Sequence, residues 1–192
     1  SQPAGPFVAS DVQTIASRYA AEGFPMARVD SMTFRPAADT SEVDVSLWIR
    51  EGKPARISSL RLDGLKALSE ATARSVLQTA VGQKFVPALL EHDIGGLLTA
   101  YEKSGYPFAT VSLGEISFEE ERDSLGANIV LVIEEGILAR INHLRVDGNT
   151  TTKTSLIVRE ARIADGEIFR GSQPEKVKQR LRKLQLFSTV SL

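Results

Sequence analysis

The sequence predicts an α+β protein of tandem two-layer β-α-α-β-β units, each a three-stranded mixed sheet covered on one face by two helices. Two observations predict it: a repeat of about 84 residues, and the same order of strand-like and helix-like apolar patterns inside each copy. Tyr19–Val29 (YAAEGFPMARV) matches Tyr101–Val111 (YEKSGYPFATV) at an offset of 82. Glu51–Gly64 (EGKPARISSLRLDG) matches Glu135–Gly148 (EGILARINHLRVDG), and Ala80–Phe85 (AVGQKF) matches Ala164–Phe169 (ADGEIF), both at an offset of 84. A loop between the first and second blocks absorbs the two-residue drift.

The complete copy opens on a strand, Arg56–Asp63, with Ile57, Leu60 and Leu62 apolar. Its alternation slips between Ile57 and Leu60, and the same slip recurs at Ile141, Leu144 and Val146, which implies a bulge or an off-sheet entry. Gly64 ends the strand. A helix is expected over Ser69–Ala80, with Ser69 as N-cap, Ala73, Val76, Leu77 and Ala80 on one face, and Gly82 as the stop. A second runs over Pro87–Ser104, with Pro87 in the first turn, Leu90, Ile94, Leu97, Leu98 and Tyr101 as its stripe, and Gly105 just past its end. Gly95-Gly96 inside it implies a close contact or a kink, at a cost of about 1 kcal/mol per glycine. Two strands close the unit, Phe108–Phe118 and Asn128–Glu134, joined by a polar loop, Glu119–Ala127. A hairpin is antiparallel and a crossover through two helices joins parallel strands, so the sheet is mixed.

Residues 1–52 then form a partial unit, the second helix (about Asp11–Ala21) and the last two strands. Residues 53–136 form the complete unit. Residues 137–192 form a partial third: a first strand over Ala139–Asp147, helices over about Thr152–Ile163 and Pro174–Leu184, and capping-box spacing at Ser172 and Glu175. Further protein is expected on both sides. The near absence of linkers at Glu51-Gly52 and Glu135-Gly136 is expected to limit the swing between units, with some hinge motion left.

Composition excludes several functions. The chain has 192 residues, 23 basic and 24 acidic, so a basic nucleic-acid groove along its whole length is not expected. It has no cysteine and two histidines, which removes disulfides, thiolate chemistry and a histidine-rich metal centre. No apolar run is long enough for a membrane-spanning helix. No acid/base pair, nucleophile, metal set or phosphate-binding loop is in view, so neither an enzyme nor a cofactor is expected. His92 and Asp93 are adjacent and point different ways along a helix. His143 lies on a strand without companions. Glu119–Glu121 form a solvated turn with nothing nearby to complement them, and the sequon at Asn149 is explained by a turn after Gly148.

The motif E-G…I-x-x-L-x-[LV]-D-G, then G-x-x-F, then G-[FY]-P, resembles POTRA domains, the polypeptide-transport-associated modules of the Omp85 family. It is carried by Glu51, Gly52, Ile57, Leu60, Leu62, Gly64, Gly82, Phe85, Gly105, Tyr106, Pro107 and Val111. In the third copy it is carried by Glu135, Gly136, Ile141, Leu144, Val146, Gly148, Gly166 and Phe169. The resemblance covers essentially the whole chain. Where Gly105-Tyr106-Pro107-Phe108 stands in the second copy, the third has Leu184-Gln185-Leu186-Phe187, a form that resembles the barrel-proximal module. The resemblance implies the periplasmic arm of an outer-membrane β-barrel assembly protein. Such an arm binds unfolded outer-membrane proteins or extended peptides, docks accessory lipoproteins, and delivers clients to its own C-terminal barrel. The other branch that the resemblance allows is the arm of a dedicated two-partner secretion transporter.

The resemblance also puts the last strand at the centre of the sheet and leaves the strand before it as an open edge. An open edge offers unpaired N–H and C=O groups to any extended chain, nearly without regard to sequence. The candidate peptide-binding residues are Phe108, Thr110, Val111, Ser112 and Leu113, with Met26, Arg28, Val29, Asp30 and Ser31 as their counterparts. Side chains of the peptide are expected to settle between that strand and the second helix. Trp48 lies opposite the apolar face of its strand and is a candidate contact for a neighbouring module or a partner. Lys176, Lys178, Arg180, Arg182 and Lys183 are a candidate membrane-facing basic face, with a solvated helix face as the plainer account.

Overall fold

The computed structural model describes residues 6–36 and 43–184. In order they form α1 (Pro6–Ala21), β1 (Arg28–Pro36), β2 (Val43–Arg50), β3 (Ala55–Asp63), α2 (Glu70–Ser75), α3 (Pro87–Lys103), β4 (Thr110–Glu120), β5 (Leu125–Glu134), α4 (Thr154–Ala161) and α5 (Gln173–Lys183). The segment Gln185–Leu192, with the Gln185-Leu186-Phe187 variant, lies outside the described residues. The β-α-α-β-β order, the mixed three-stranded sheet and the two covering helices are as the sequence predicts. The sheet order is β3-β5-β4, with the last strand at the centre. β5 accordingly buries Ala127, Ile129 and Leu131 completely, while Val130 and Val132 on its other face are half-buried.

Backbone contacts divide the chain into two compact units: Ser1–Leu62 with Leu77–Asp93 and Leu113–Leu131, and Asp63–Val76 with Ile94–Ser112 and Val132–Leu192. In the first, β1 and β2 pair antiparallel, Phe34 opposite Val45 and Met32 opposite Leu47. β3 shows the expected slip: Ala55, Ile57 and Leu60 are buried, and Ser58 and Ser59 are both exposed. Its start is tied to the glycine turn of the second motif. Ile57 N donates to Gln83 O, Gly82 N to Ile57 O, and Phe85 N to Ala55 O, while Arg56 Nη1 donates to Gly82 O. The spacing G-x-x-F is thus the footprint of a short antiparallel bridge between Arg56 and Lys84. The second unit builds the same bridge between Arg140 and Ile168, with Ile141, Gly166, Glu167, Phe169 and Ala139 in the matching roles.

The junction between copies is also built twice. In the first unit Ala55 N donates to Gly23 O, and Tyr19 Oη donates to Glu51 Oε1 at 3.0 Å. In the second, Ala139 N donates to Gly105 O, and Tyr101 Oη donates to Glu135 Oε1 at 2.8 Å. Glu135 goes further: the same oxygen accepts the amides of Lys66 and Ala67, each at 2.6 Å. Burial opposes its ionisation, yet the amides of Ala67 and Lys66, the Tyr101 hydroxyl and the Lys66 charge outweigh burial and hold its carboxyl below the usual glutamate range. Burial first, then Glu135, pushes the Tyr101 hydroxyl up.

Five sequence expectations need correction. The first helix of the complete copy stops at Ser75, not Ala80. Ser69 caps it as expected, its side chain accepting Thr72 N at 3.2 Å. Beyond it the chain unwinds, because the fully buried carboxylate of Asp93 takes Gln78 N at 2.6 Å and Thr79 N at 3.0 Å. A carboxylate offering two charge-assisted bonds competes well with one more helical turn. The expected strand Ala139–Asp147 reduces to the single Arg140–Ile168 bridge, because a strand needs a ladder and no hairpin of its own copy lies among the described residues. The capping box at Ser172 does not form; Glu175 pairs with Lys178 at 2.8 Å instead. The hairpin loop shrinks to residues 121–124, both strands extending into the polar stretch. Glu119–Glu121 are not all uncomplemented: Lys53 Nζ lies 3.6 Å from Glu120 and donates to Glu121 O at 3.0 Å.

Two glycines are dictated by their surroundings. Gly64 has φ +90°, and a Cβ there would collide with the Ile133 carbonyl oxygen. Gly96 lets α3 approach the end of α2, since its Cβ would stand 3.1 Å from Val76 O. Gly95 meets nothing, so the pair reflects one close contact and one tolerated cost. α4 and α5 enclose their own core of Ile157, Ala161, Val177 and Leu181.

Gly64→Ala is expected to cost about 2 kcal/mol or more, read from urea unfolding, because strain adds to the collision. Glu135→Ala should cost about 2–3 kcal/mol by stripping two amides and a hydroxyl of their acceptor. Because the folded pKa of Glu135 is depressed, its ionic contribution is present above the unfolded-state value of about 4.3 and is lost as pH falls through the folded value. The stability gap between wild type and Glu135→Gln should therefore narrow on acidification below about pH 4.

Candidate peptide-binding edges

β4 is the outer strand of the three-stranded sheet, and its outward edge has no strand partner among the described residues. Thr110, Ser112 and Leu113 are exposed on it and Val111 is half-buried. Thr110 Oγ1 is only loosely engaged, 3.5 Å from Glu134 Oε2. Phe108 lies two residues before the strand in the turn after Gly105, 65% exposed, with its backbone against Gly136. The predicted strand start is thus two residues early, and Phe108 stands at the mouth of the edge.

In the first copy, β1 pairs with β2 alone among the described residues. Met26 precedes the strand, as Phe108 does, with its backbone against Gly52. Arg28, Val29, Asp30 and Ser31 open β1, but the register shifts between Val29 and Ser31, so Asp30 is the extra residue of a bulge. Its carboxylate bonds Arg28 Nε at 2.9 Å and Arg50 Nη2 at 2.7 Å. The hydrogen bond from Arg28 leads, burial opposes, and the Arg50 and Arg28 charges complete the lowering of its pKa. A bulge locked by two arginines interrupts regular pairing where the sequence places the peptide. The signal was in the sequence: Val29, Met32 and Phe34 are spaced three and two apart, which places them on one face only with an extra residue between the first two.

The hairpin's apolar face stands open. Phe34, Val43 and Val45 are more than half exposed. Trp48 sits on the opposite face across from Ser31, and is 52% exposed. The basic set on α5 does not form one face. Lys178 pairs with Glu175, whose carboxyl is held low by the Lys178 hydrogen bond and charge, with Arg182 also contributing against burial. Arg182 follows one helical turn later. Lys176, Arg180 and Lys183 project from another stripe, where Arg180 Nη1 donates to Ala161 O at 3.0 Å.

His92 bonds Gln78 through its Nε2 at 3.2 Å, while Asp93 points inward to the backbone, so the adjacent pair is structural. Asn149 is a turn residue whose amide donates to Thr152 O and Thr154 Oγ1. Among the described residues no group of His, Asp and Glu has metal-holding geometry, and no helix is long and apolar enough to cross a membrane.

Comparison with known proteins places these features in a family. The POTRA model, described as a surface antigen variable number repeat, matches residues 55–136 and 139–192. A curated relative, an outer membrane protein assembly factor BamA of Nitratidesulfovibrio vulgaris, is 27% identical over 168 residues, 84% of this chain and 21% of the relative. The chain thus spans about a fifth of the length of that relative. The crystal structure of Haemophilus influenzae BamA POTRA3-5 superposes with a TM-score of 0.57 at 23% identity, covering 98% of this chain and 73% of that one. A Haemophilus ducreyi BamA structure lacking POTRA domains 1–3 gives a TM-score of 0.54 at 26% identity, covering 71% of this chain and 25% of that one.

An open β4 edge should be visible in hydrogen exchange. Amides of β5, paired on both sides, are expected to exchange slowest in the sheet, while alternate amides of β4 exchange quickly. Uniform protection along β4 would show its edge to be covered.

Proposed function

We propose, from the premise that this chain belongs to the POTRA family, that it is part of the periplasmic arm of an outer-membrane β-barrel assembly protein. In this reading the arm receives unfolded outer-membrane proteins as extended segments, and passes them to a barrel carried elsewhere in the protein. The observation that carries it is the exposed outer strand β4 beside a fully paired central strand. Backbone groups along such an edge accept any extended chain, so many clients can share one site. Thr110–Leu113 are the contact residues, and Phe108, exposed at the mouth of the strand, offers an aromatic platform to the client's side chains. The space between β4 and α3 takes the side chains that point inward.

The first copy is the weaker edge, since the Asp30 bulge and its two arginines blunt it; Met26, Arg28, Val29 and Ser31 are then secondary contacts. Trp48 and the open apolar face of the hairpin fit a neighbouring module or an accessory lipoprotein. The domain limits 1–52, 53–136 and 137–192 follow the repeated junctions at Glu51-Gly52 and Glu135-Gly136. The name carried by the curated relative favours assembly over dedicated secretion.

The test is an amide shift titration with a peptide from a barrel strand, beside the same peptide interrupted by proline. Shifts concentrated in Thr110–Leu113, and lost with the proline peptide, are the expected result, because proline removes the donor that strand addition needs. Equal shifts from both peptides would sink backbone pairing as the mode of capture.

A further inference from the structure

The two helical pairs differ at one buried position. In the complete copy Asp93 receives the amides of Gln78 and Thr79. Eighty-four residues on, Arg162 and Ile163 stand in place of those two, and Val177 stands in place of Asp93. The third copy therefore has no internal carboxylate there, and α4 runs two residues further than α2 by repeat alignment before Arg162 turns it with φ 53°.

A cavity of about 150 Å³ opens at this place, lined by Arg162, Ile163 and Val177 themselves. Arg170, Lys176 and Arg180 also line it, with Glu167 as its one carboxylate. The matching positions in the complete copy are Val86, His92, Gly96 and Gln83, so the positive charge is peculiar to the third. Glu167 is already engaged: its oxygens accept from Ala164 N at 3.3 Å and Gln173 Nε2 at 3.0 Å. Arg180 is steadied by its bond to Ala161 O. Among the described residues no ion pair engages Arg162, Arg170 or Lys176.

Four cations around one small cavity repel one another, and an anion turns that repulsion into charge-assisted hydrogen bonds. The volume is roughly ten times what a single water requires. Arginine forks match phosphate oxygens two at a time, and four cations against one carboxylate exceed what a single carboxylate ligand neutralises. We propose that this cavity binds a phosphate group, either of a soluble phosphate or of a lipid headgroup, beside the position where Val177 replaces the Asp93 carboxylate of the complete copy.

The test is an NMR titration of the 192-residue chain, following backbone amides and arginine Nε–H groups at constant ionic strength. One arm adds inorganic phosphate; the other adds vesicles of phosphatidylcholine, alone or mixed in equal parts with phosphatidylglycerol. Saturable shifts at Arg162, Ile163 and Arg170, without matching shifts at Gln78, Thr79 and His92, are expected with at least one probe. Phosphate alone active identifies a soluble ligand, and selective response to the phosphatidylglycerol vesicles identifies a headgroup; each supports the site. Val177→Asp, which restores the internal carboxylate, should abolish the shifts. Lys176→Gln, on the exposed rim, should weaken binding about tenfold and serves if the first variant fails to fold. No saturable shift with either probe, or shifts unchanged by Lys176→Gln, would overturn the proposal.

Discussion

One tyrosine–glutamate hydrogen bond, made twice, holds the chain where one repeat passes into the next. Tyr19 with Glu51 and Tyr101 with Glu135 close the same loop, each beside a glycine carbonyl that accepts an amide of the following copy, that of Ala55 or Ala139. In the second junction the carboxylate also collects the amides of Lys66 and Ala67, so the turn after β3, the end of α3 and the end of β5 meet on one oxygen. A carboxylate accepting several donors is stronger than a neutral acceptor, and its loss leaves each donor unsatisfied. Much of the rest is arranged around it: the glycine turn pairs with the start of β3, β5 takes the centre, and β4 is left outside.

The open edge follows from that exclusion. A three-stranded sheet has two edges by necessity, and β3 partly covers its own by bridging to the glycine turn. β4 has no such cover among the described residues. Its counterpart β1 carries a bulge and an ion-pair lock, so two strands from the same repeat position offer edges of different quality. The two copies thus present backbone edges of graded regularity.

The fold was legible because its signals are periodic and local. Amphipathic spacing located α3 to within a residue, and the repeated Glu-Gly motifs at Glu51 and Glu135 each mark a bond to a tyrosine of the preceding helix. The short α2 was not legible, since Asp93 lies fifteen residues beyond Gln78 and helix propensity carries no record of a distant acceptor. The third copy's first strand failed because strand character belongs to a pair of segments. The capping box failed because Ser172 sits in helical conformation, where its side chain makes no cap bond. At the candidate site, exposure of β4 was readable from the family resemblance, while the Asp30 bulge was present only as an odd spacing among apolar residues. The charged cavity lies in the differences between copies, where Arg162, Arg170, Lys176 and Arg180 replace Gln78, Val86, His92 and Gly96.

The backbone bonds at the junctions have a bearing on how such arms change in length. Gly23 to Ala55 and Gly105 to Ala139 are linked through main-chain atoms, and the tyrosine–glutamate pairs that assist them recur at the same places in the first and second copies. A duplicated copy inherits both halves of the joint with it, so an added module is born able to dock to its neighbours. Copies can then diverge inside, as Asp93 and Val177 have, without the chain losing the joints by which it is strung.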